Sequence, residues 1–192
     1  MADRRRTFWC AVAAAALAGV TACGPAAAPG TEAPKPDPVA GWSDSVCGSV
    51  LAFATSATAA PDFAAAADLA AVQRTFSDYL GTLVTGLRDG REALAAAGVP
   101  PVASGAGVLD RVGTAMTRLE QDVAGARATV DAADPGDPRA FVASVRQVES
   151  TVRAMEVPDV VGELSAVPEL AGAARATPQC RKVRTLAAAA PG

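Results

Sequence analysis

Residues 106–133, AGVLDRVGTAMTRLEQDVAGARATVDAA, decide the fold. Leu109, Val112, Met116, Leu119, Val123, Ala126 and Val130 follow one another at strictly alternating steps of three and four residues. Side chains three and four apart share one face of a helix. An apolar seam with a mean step of 3.5 is the seam of helices packed side by side with a left-handed supercoil. The pattern continues on both sides of this stretch. Leu69, Val72, Phe76, Tyr79 or Leu80, Leu83, Leu87 and Leu94 carry it upstream, and Phe141, Val145, Val148, Val152 and Met155 downstream. No segment alternates every second residue as an exposed strand would.

Chain breaks between these segments have local causes. Gly98-Val99-Pro100-Pro101 ends one helix, because proline lacks the amide donor and disfavours helix at the residue before it. Asp134-Pro135-Gly136-Asp137-Pro138 is a turn, with Asp137 as N-cap and Pro138 at the first helical position. Pro61-Asp62 and Pro158-Asp159 read as similar breaks. The reading predicts helices at 43–58, 64–97, 106–133, 138–156 and 159–176, with Pro168 kinking or splitting the last. Short connections make neighbours antiparallel, so the expected fold is all-α, an up-and-down antiparallel four- to five-helix bundle. Arg88/Glu92, Arg118/Asp122 and Arg127/Asp131 stand four apart and read as solvated helix faces.

Composition excludes whole classes of chemistry. The 192 residues include 48 alanines and no histidine, isoleucine or asparagine, with a net charge of −3. Without histidine there is no imidazole triad, no histidine metal ligand and no imidazole pH switch. A mildly acidic chain with scattered arginines is not expected to bind nucleic acid.

The N-terminus reads as an address. Arg4-Arg5-Arg6 precedes an apolar run from Phe8 to Val20 and the small residues Thr21-Ala22 before Cys23. This order is that of a secretory signal peptide, and the run falls short of the ~20 residues of a membrane-spanning helix. Val20-Thr21-Ala22-Cys23 resembles the lipobox of bacterial lipoproteins. The resemblance implies a diacylglycerol on the Cys23 thiol and cleavage of residues 1–22, with a plain secreted protein as the other possibility. Arg5-Arg6-Thr7-Phe8 partly resembles a twin-arginine signal, which leaves the export route open between the general and the twin-arginine pathways. Removing Asp3, Arg4, Arg5 and Arg6 leaves 14 basic and 19 acidic residues, a net of −5. On that count the mature surface is not drawn to anionic lipid by charge, and the lipid does the anchoring. Residues 23–41 hold Pro25, Pro29, Pro34, Pro36 and Pro38 and read as a semi-stiff linker. A helical bundle domain at 42–181 and a disordered tail at 182–192 complete the expected organisation.

Cys10 leaves with the signal peptide, and Cys47 and Cys180 remain near the two ends of the domain. An even pair in an exported protein reads as a disulfide. A metal site needs more ligands, and a redox pair is usually close in sequence. The bridge would place the first and last helices side by side.

The sequence contains no Gly-x-Ser-x-Gly elbow and no phosphate-binding loop. Gly105-Ala106-Gly107 lacks the third glycine of a dinucleotide fingerprint. Asp131, Asp134 and Asp137 are spaced by three, unlike a calcium loop, and read as turn caps. No cofactor, metal or catalytic residue is therefore expected. Gly86 and Gly90 form Gly-x-x-x-Gly within a helix, which signals either close helix approach or space for a ligand. Trp42 and Phe53 read as core residues rather than a recognition platform.

Taken in order, these landmarks resemble a group of small actinobacterial lipoproteins labelled as small secreted proteins. The likeness rests on the lipobox cysteine, the Pro-rich linker, Trp42 before Val46-Cys47, Gly98-Val99-Pro100-Pro101-Val102, a helix led by Phe141, and Pro178-Gln179-Cys180. The alanine-rich, lysine-poor composition also fits a high-GC actinobacterial genome. The resemblance implies a tethered helical domain with its two end cysteines bridged, and it brings no activity. The expected function is a non-catalytic binding or scaffolding domain, anchored on the outer face of the cell membrane through Cys23. The alternative is a carrier or sensor holding an apolar small molecule or lipid within the bundle.

Overall fold

A computed structural model describes residues 37–59 and 61–189. The expected signal peptide, Cys23 and most of the expected linker lie outside the described residues. The described chain is all-α: α1 (Pro38–Thr58), α2 (Leu69–Ala96), α3 (Gly105–Asp131), α4 (Pro138–Arg153), α5 (Val160–Ser165), α6 (Pro168–Ala176) and α7 (Pro178–Ala189). These helices belong to one compact unit whose buried apolar residues all fall between Trp42 and Cys180. The unit thus carries a complete core of its own.

Four helix starts share one device. Asp37, Asp68, Asp137 and Asp159 turn their carboxylates onto the free amides of the first turn, at Val39, Ala71, Arg139 and Ala140, and Gly162 respectively. Proline opens α1, α4, α6 and α7, where no amide donor is needed. The Asp137-Pro138 signature is where the sequence places it. The same signature at Asp37-Pro38 starts α1 five residues earlier than the expected 43, inside the stretch read as linker. Helix α2 starts at Leu69 rather than 64, because Asp68 is the cap and a turn at 64–65, closed by the Ala66 amide on the Phe63 carbonyl, lies before it. At its far end the chain turns through Gly98, whose φ of +71° is left-handed and suits glycine.

The long helices form an antiparallel meander. Across α1 and α2, Gly86 faces Phe53 and Gly90 faces Ser49, while Tyr79 donates a hydrogen bond to the Ala57 carbonyl (3.2 Å). Across α2 and α3, Gly113 lies by Leu94 and Gln73 meets the other end of α3. The Gln73 amide donates to the carbonyls of Val130 (2.8 Å) and Ala133 (2.7 Å), capping the C-terminal end of α3 from the neighbouring helix. Helix α4 packs on α3.

The chain after α4 departs from one long helix. Val167 takes an extended conformation before Pro168 and separates α5 from α6, so Pro168 splits the expected 159–176 helix rather than kinking it. Thr177 does the same before Pro178. Residues 182–189, expected to be disordered, continue α7. Two contacts hold α7 in place. Arg181 donates to the Ala176 carbonyl (2.6 Å) and Arg184 to the Arg175 carbonyl (2.9 Å), so both cap the end of α6. Cys180 fastens α7 to α1. Gln179 lies beside Asp44 and Gly48, whereas Leu186 shares a groove with Leu51 and Thr55. Helix α7 therefore runs parallel to α1.

The core divides into two apolar clusters. One joins Trp42, Val46 and Val50 of α1 to Leu94, Val108, Val112 and Met116 and to the inner faces of α5–α7. The other joins Phe53 to Leu80, Leu83 and Leu87 of α2, to Leu119, Val123 and Val130 of α3, and to Val148 of α4. Every seam residue of the opening stretch is buried except Leu109, which is partly buried.

Two helical glycines, Gly90 of α2 and Gly125 of α3, separate two effects that a substitution would have. A Cβ at Gly90 would fall on the Ser49 carbonyl oxygen and 2.6 Å from the Met116 methyl carbon. Gly90→Ala is expected to cost about 1–3 kcal/mol. Gly125 lies exposed on α3 with nothing within 4 Å of a Cβ, so Gly125→Ala is expected to add about 0.5–1 kcal/mol. Urea midpoints of the two variants should move in opposite directions.

Burial raises the Tyr79 phenol above its ordinary value near 10. The unfolded chain therefore ionises first as pH rises. This contribution is whole below about pH 10 and is lost as pH climbs through the folded value. Thermal melts between about pH 9 and 11 should fall less steeply for Tyr79→Phe than for the parent chain.

Candidate functional site

The most constrained part of the molecule is the clasp between α1 and α7. Cys47 and Cys180 form a disulfide (S–S 2.02 Å, Cα–Cα 5.0 Å), and both are fully buried. Beside it the Gln179 backbone N–H donates to the Asp44 carboxylate (2.7 Å), which serves as a cap reached from a different helix. Ser43 Oγ, Thr177 Oγ1 and Gln179 Oε1 are buried here without a hydrogen-bond partner among the protein atoms. Nothing in the spacing of Cys47 and Cys180 announces this polar cluster, since it exists only once α7 is laid along α1.

Gly86 and Gly90 resolve to close helix approach. Cβ atoms at Gly86 and Gly90 would meet the backbone of Phe53 (3.2 Å to Cα) and Ser49, so α1 occupies the space that a ligand would need. Trp42 and Phe53 are core residues. The Trp42 indole donates to the Gly98 carbonyl (3.4 Å) and packs by Gly105, which is how α1 is pinned to the turn between α2 and α3. The Gly105-Ala106-Gly107 stretch is thus the packed start of α3. Asp134 and Asp137 accept from turn and helix amides, Gly136 and Arg139 among them. Among the described residues no three His, Cys, Asp or Glu side chains gather as metal ligands.

Open surface lies mainly along α3. One groove of about 930 Å³ runs between α3 and the end of α4, with Ala115, Leu119 and Met155 beneath and Arg118, Asp122 and Glu156 at its edges. On the other side of α3 a groove of about 490 Å³ is bounded by Arg88, Arg91 and Glu92. Glu120 pairs with Arg91 (2.7 Å) and Arg88 (3.6 Å), so Arg88 crosses to α3 instead of pairing with Glu92. Arg127 and Asp131 do pair, at 3.7 Å, and Arg111 of α3 meets Glu163 of α5 at 2.6 Å. Such exposed pairs contribute little to stability, typically below about 1 kcal/mol. Mixed charge over an apolar floor can hold a polypeptide segment or an amphiphile.

The clasp makes a measurable demand. Its cysteines are 133 residues apart, and closing so long a loop stabilises by up to about 5 kcal/mol through the unfolded chain. Cys47→Ser, or the parent chain under reductant, is expected to unfold at markedly lower urea, and an unchanged midpoint would contradict the assignment. In comparisons with known proteins, no family model, no curated protein and no solved structure matches this chain.

Proposed function

We propose that this chain is a lipid-anchored extracytoplasmic protein whose helical domain binds or scaffolds a partner without catalysing a reaction. The disulfide is the observation that carries the reading. A buried bridge between distant cysteines persists in an oxidising compartment, outside the reducing cytoplasm. The leader supplies a route there, with its arginines, its short apolar run and its Val20-Thr21-Ala22-Cys23 box. No described helix is long and apolar enough to cross a membrane, so a lipid on Cys23 would hold the protein to the bilayer. The likeness to small actinobacterial secreted lipoproteins supports the same arrangement.

A bound partner belongs on the grooves along α3. Their apolar floors and mixed charges suit an extended or helical segment of another protein. The carrier reading drew on space at Gly86 and Gly90, and that space is taken by α1.

The anchor is tested by mass spectrometry of the protein from its own envelope. The mature chain is expected to begin at Cys23 and to carry a diacylglycerol there. Cys23→Ser should accumulate as an unlabelled, uncleaved precursor under metabolic labelling with a fatty acid. A mature chain that begins elsewhere or carries no lipid would overturn the proposal.

A further inference from the structure

Charge is segregated along this chain in a way its total conceals. Residues 37–169 carry 18 acidic and 9 basic side chains. Residues 170–189 carry Arg175, Arg181, Lys182 and Arg184 and no acid. All four cations are exposed, and the two caps described above bring Arg181 and Arg184 to the end of α6, beside Arg175. Helix α7 lies along α1, whose one charged residue, Asp44, is engaged by the Gln179 amide. Between the two helices runs an open groove of about 590 Å³ lined by Leu51, Thr55, Arg181, Lys182, Thr185 and Leu186. Its floor is mainly apolar and its rim cationic.

We propose that this α1–α7 face is a docking surface for the anionic headgroup plane of a lipid bilayer. Complementarity of charge carries the assignment. Lysine and arginine lay their aliphatic stems along an apolar strip and reach lipid phosphates with their heads, and each adds to binding near the surface. Acidic side chains elsewhere on the bundle oppose this only weakly, because charge is screened beyond about 8 Å at physiological salt. The chain outside the structure points the same way. Residues 24–36 enter at the N-terminus of α1, the helix that forms one wall of the groove. A Pro-rich segment of that length reaches roughly 40 Å, which holds this face within range of the leaflet. The orientation argument rests on the lipid-anchored reading, whereas the charge argument does not.

The test uses residues 24–192 without lipid, which contain the whole compact unit, in sedimentation with large vesicles. Equimolar phosphatidylglycerol and phosphatidylcholine vesicles are compared with pure phosphatidylcholine, at low salt and at about 0.5 M salt. Binding is expected to the anionic vesicles at low salt and to fall at least about tenfold on neutral vesicles or in high salt. The double variant Arg175→Gln/Lys182→Gln spares both caps of α6 and should lose about tenfold or more while keeping its helical circular dichroism. Arg139→Gln/Arg146→Gln, which removes as much positive charge from the exposed face of α4, should bind as the parent does. No binding, equal binding to both vesicles, or binding indifferent to the double variant would overturn the proposal. So would a concentration-dependent dimer that the double variant abolishes, which would assign the face to the acidic surface of a second copy. Because the vesicle assay uses unlipidated protein, its failure is separable from absence of the anchor on Cys23.

Discussion

The bond between Cys47 and Cys180 is the constraint on which the rest of the domain depends. Helices of six, nine and twelve residues are too short to persist by their own propensity. They form here because Val160, Leu164, Leu170 and Ala174 have an apolar wall to complete, and because Cys180 is held against the helix that supplies much of that wall. Helix α1 can supply it only by sitting unusually close to α2, backbone against Gly86 and Gly90. One helix thus serves two sets of neighbours, touching α2 through glycine and α7 through sulfur. An alanine-rich chain with few aromatics has little bulk with which to fill a wide core. Short distances between helices are its remedy, and a covalent tie removes much of the entropy that so thin a core would otherwise have to overcome.

What the sequence made legible follows from the range of the interactions involved. The seam from Leu109 to Val130 was readable because each residue acts with neighbours three or four places away, and the structure buries that seam as read. The Asp137-Pro138 start was readable for the same reason. Asp37-Pro38 bears the identical signature yet reads as linker, since the four prolines before it, Pro25, Pro29, Pro34 and Pro36, argue for one. The tail was misread because nothing local orders residues 182–189. Their order comes from Arg181 and Arg184 reaching α6 and from Cys180, none of which has a periodic trace. The direction of α7, parallel to α1, was beyond reach too, since it depends on two breaks at Val167 and Thr177 acting together.

The candidate sites divide along the same line. The cysteine pair could be read by counting, because only two cysteines fall within the domain. The two meanings of Gly-x-x-x-Gly could not be separated until the partner helix was in view. Gln73 capping α3 across the bundle, and Glu120 choosing two arginines of α2, carry no signal in the chain that would distinguish them from any surface Gln or Glu. The charge asymmetry was present in the sequence all along. A net count averaged it away, and only the α1–α7 pairing gives it a face.

The parallel course of α1 and α7 also decides how the domain answers a mechanical pull between its two ends. Tension entering at Pro38 travels through little more than two turns of α1 before it meets Cys47. There the bridge shunts it into α7, and the chain between residues 47 and 180 drops out of the load path. Extension of the domain is thereby capped at the few residues outside the bridge, and the grooves along α3 keep their shape while the two ends are drawn apart.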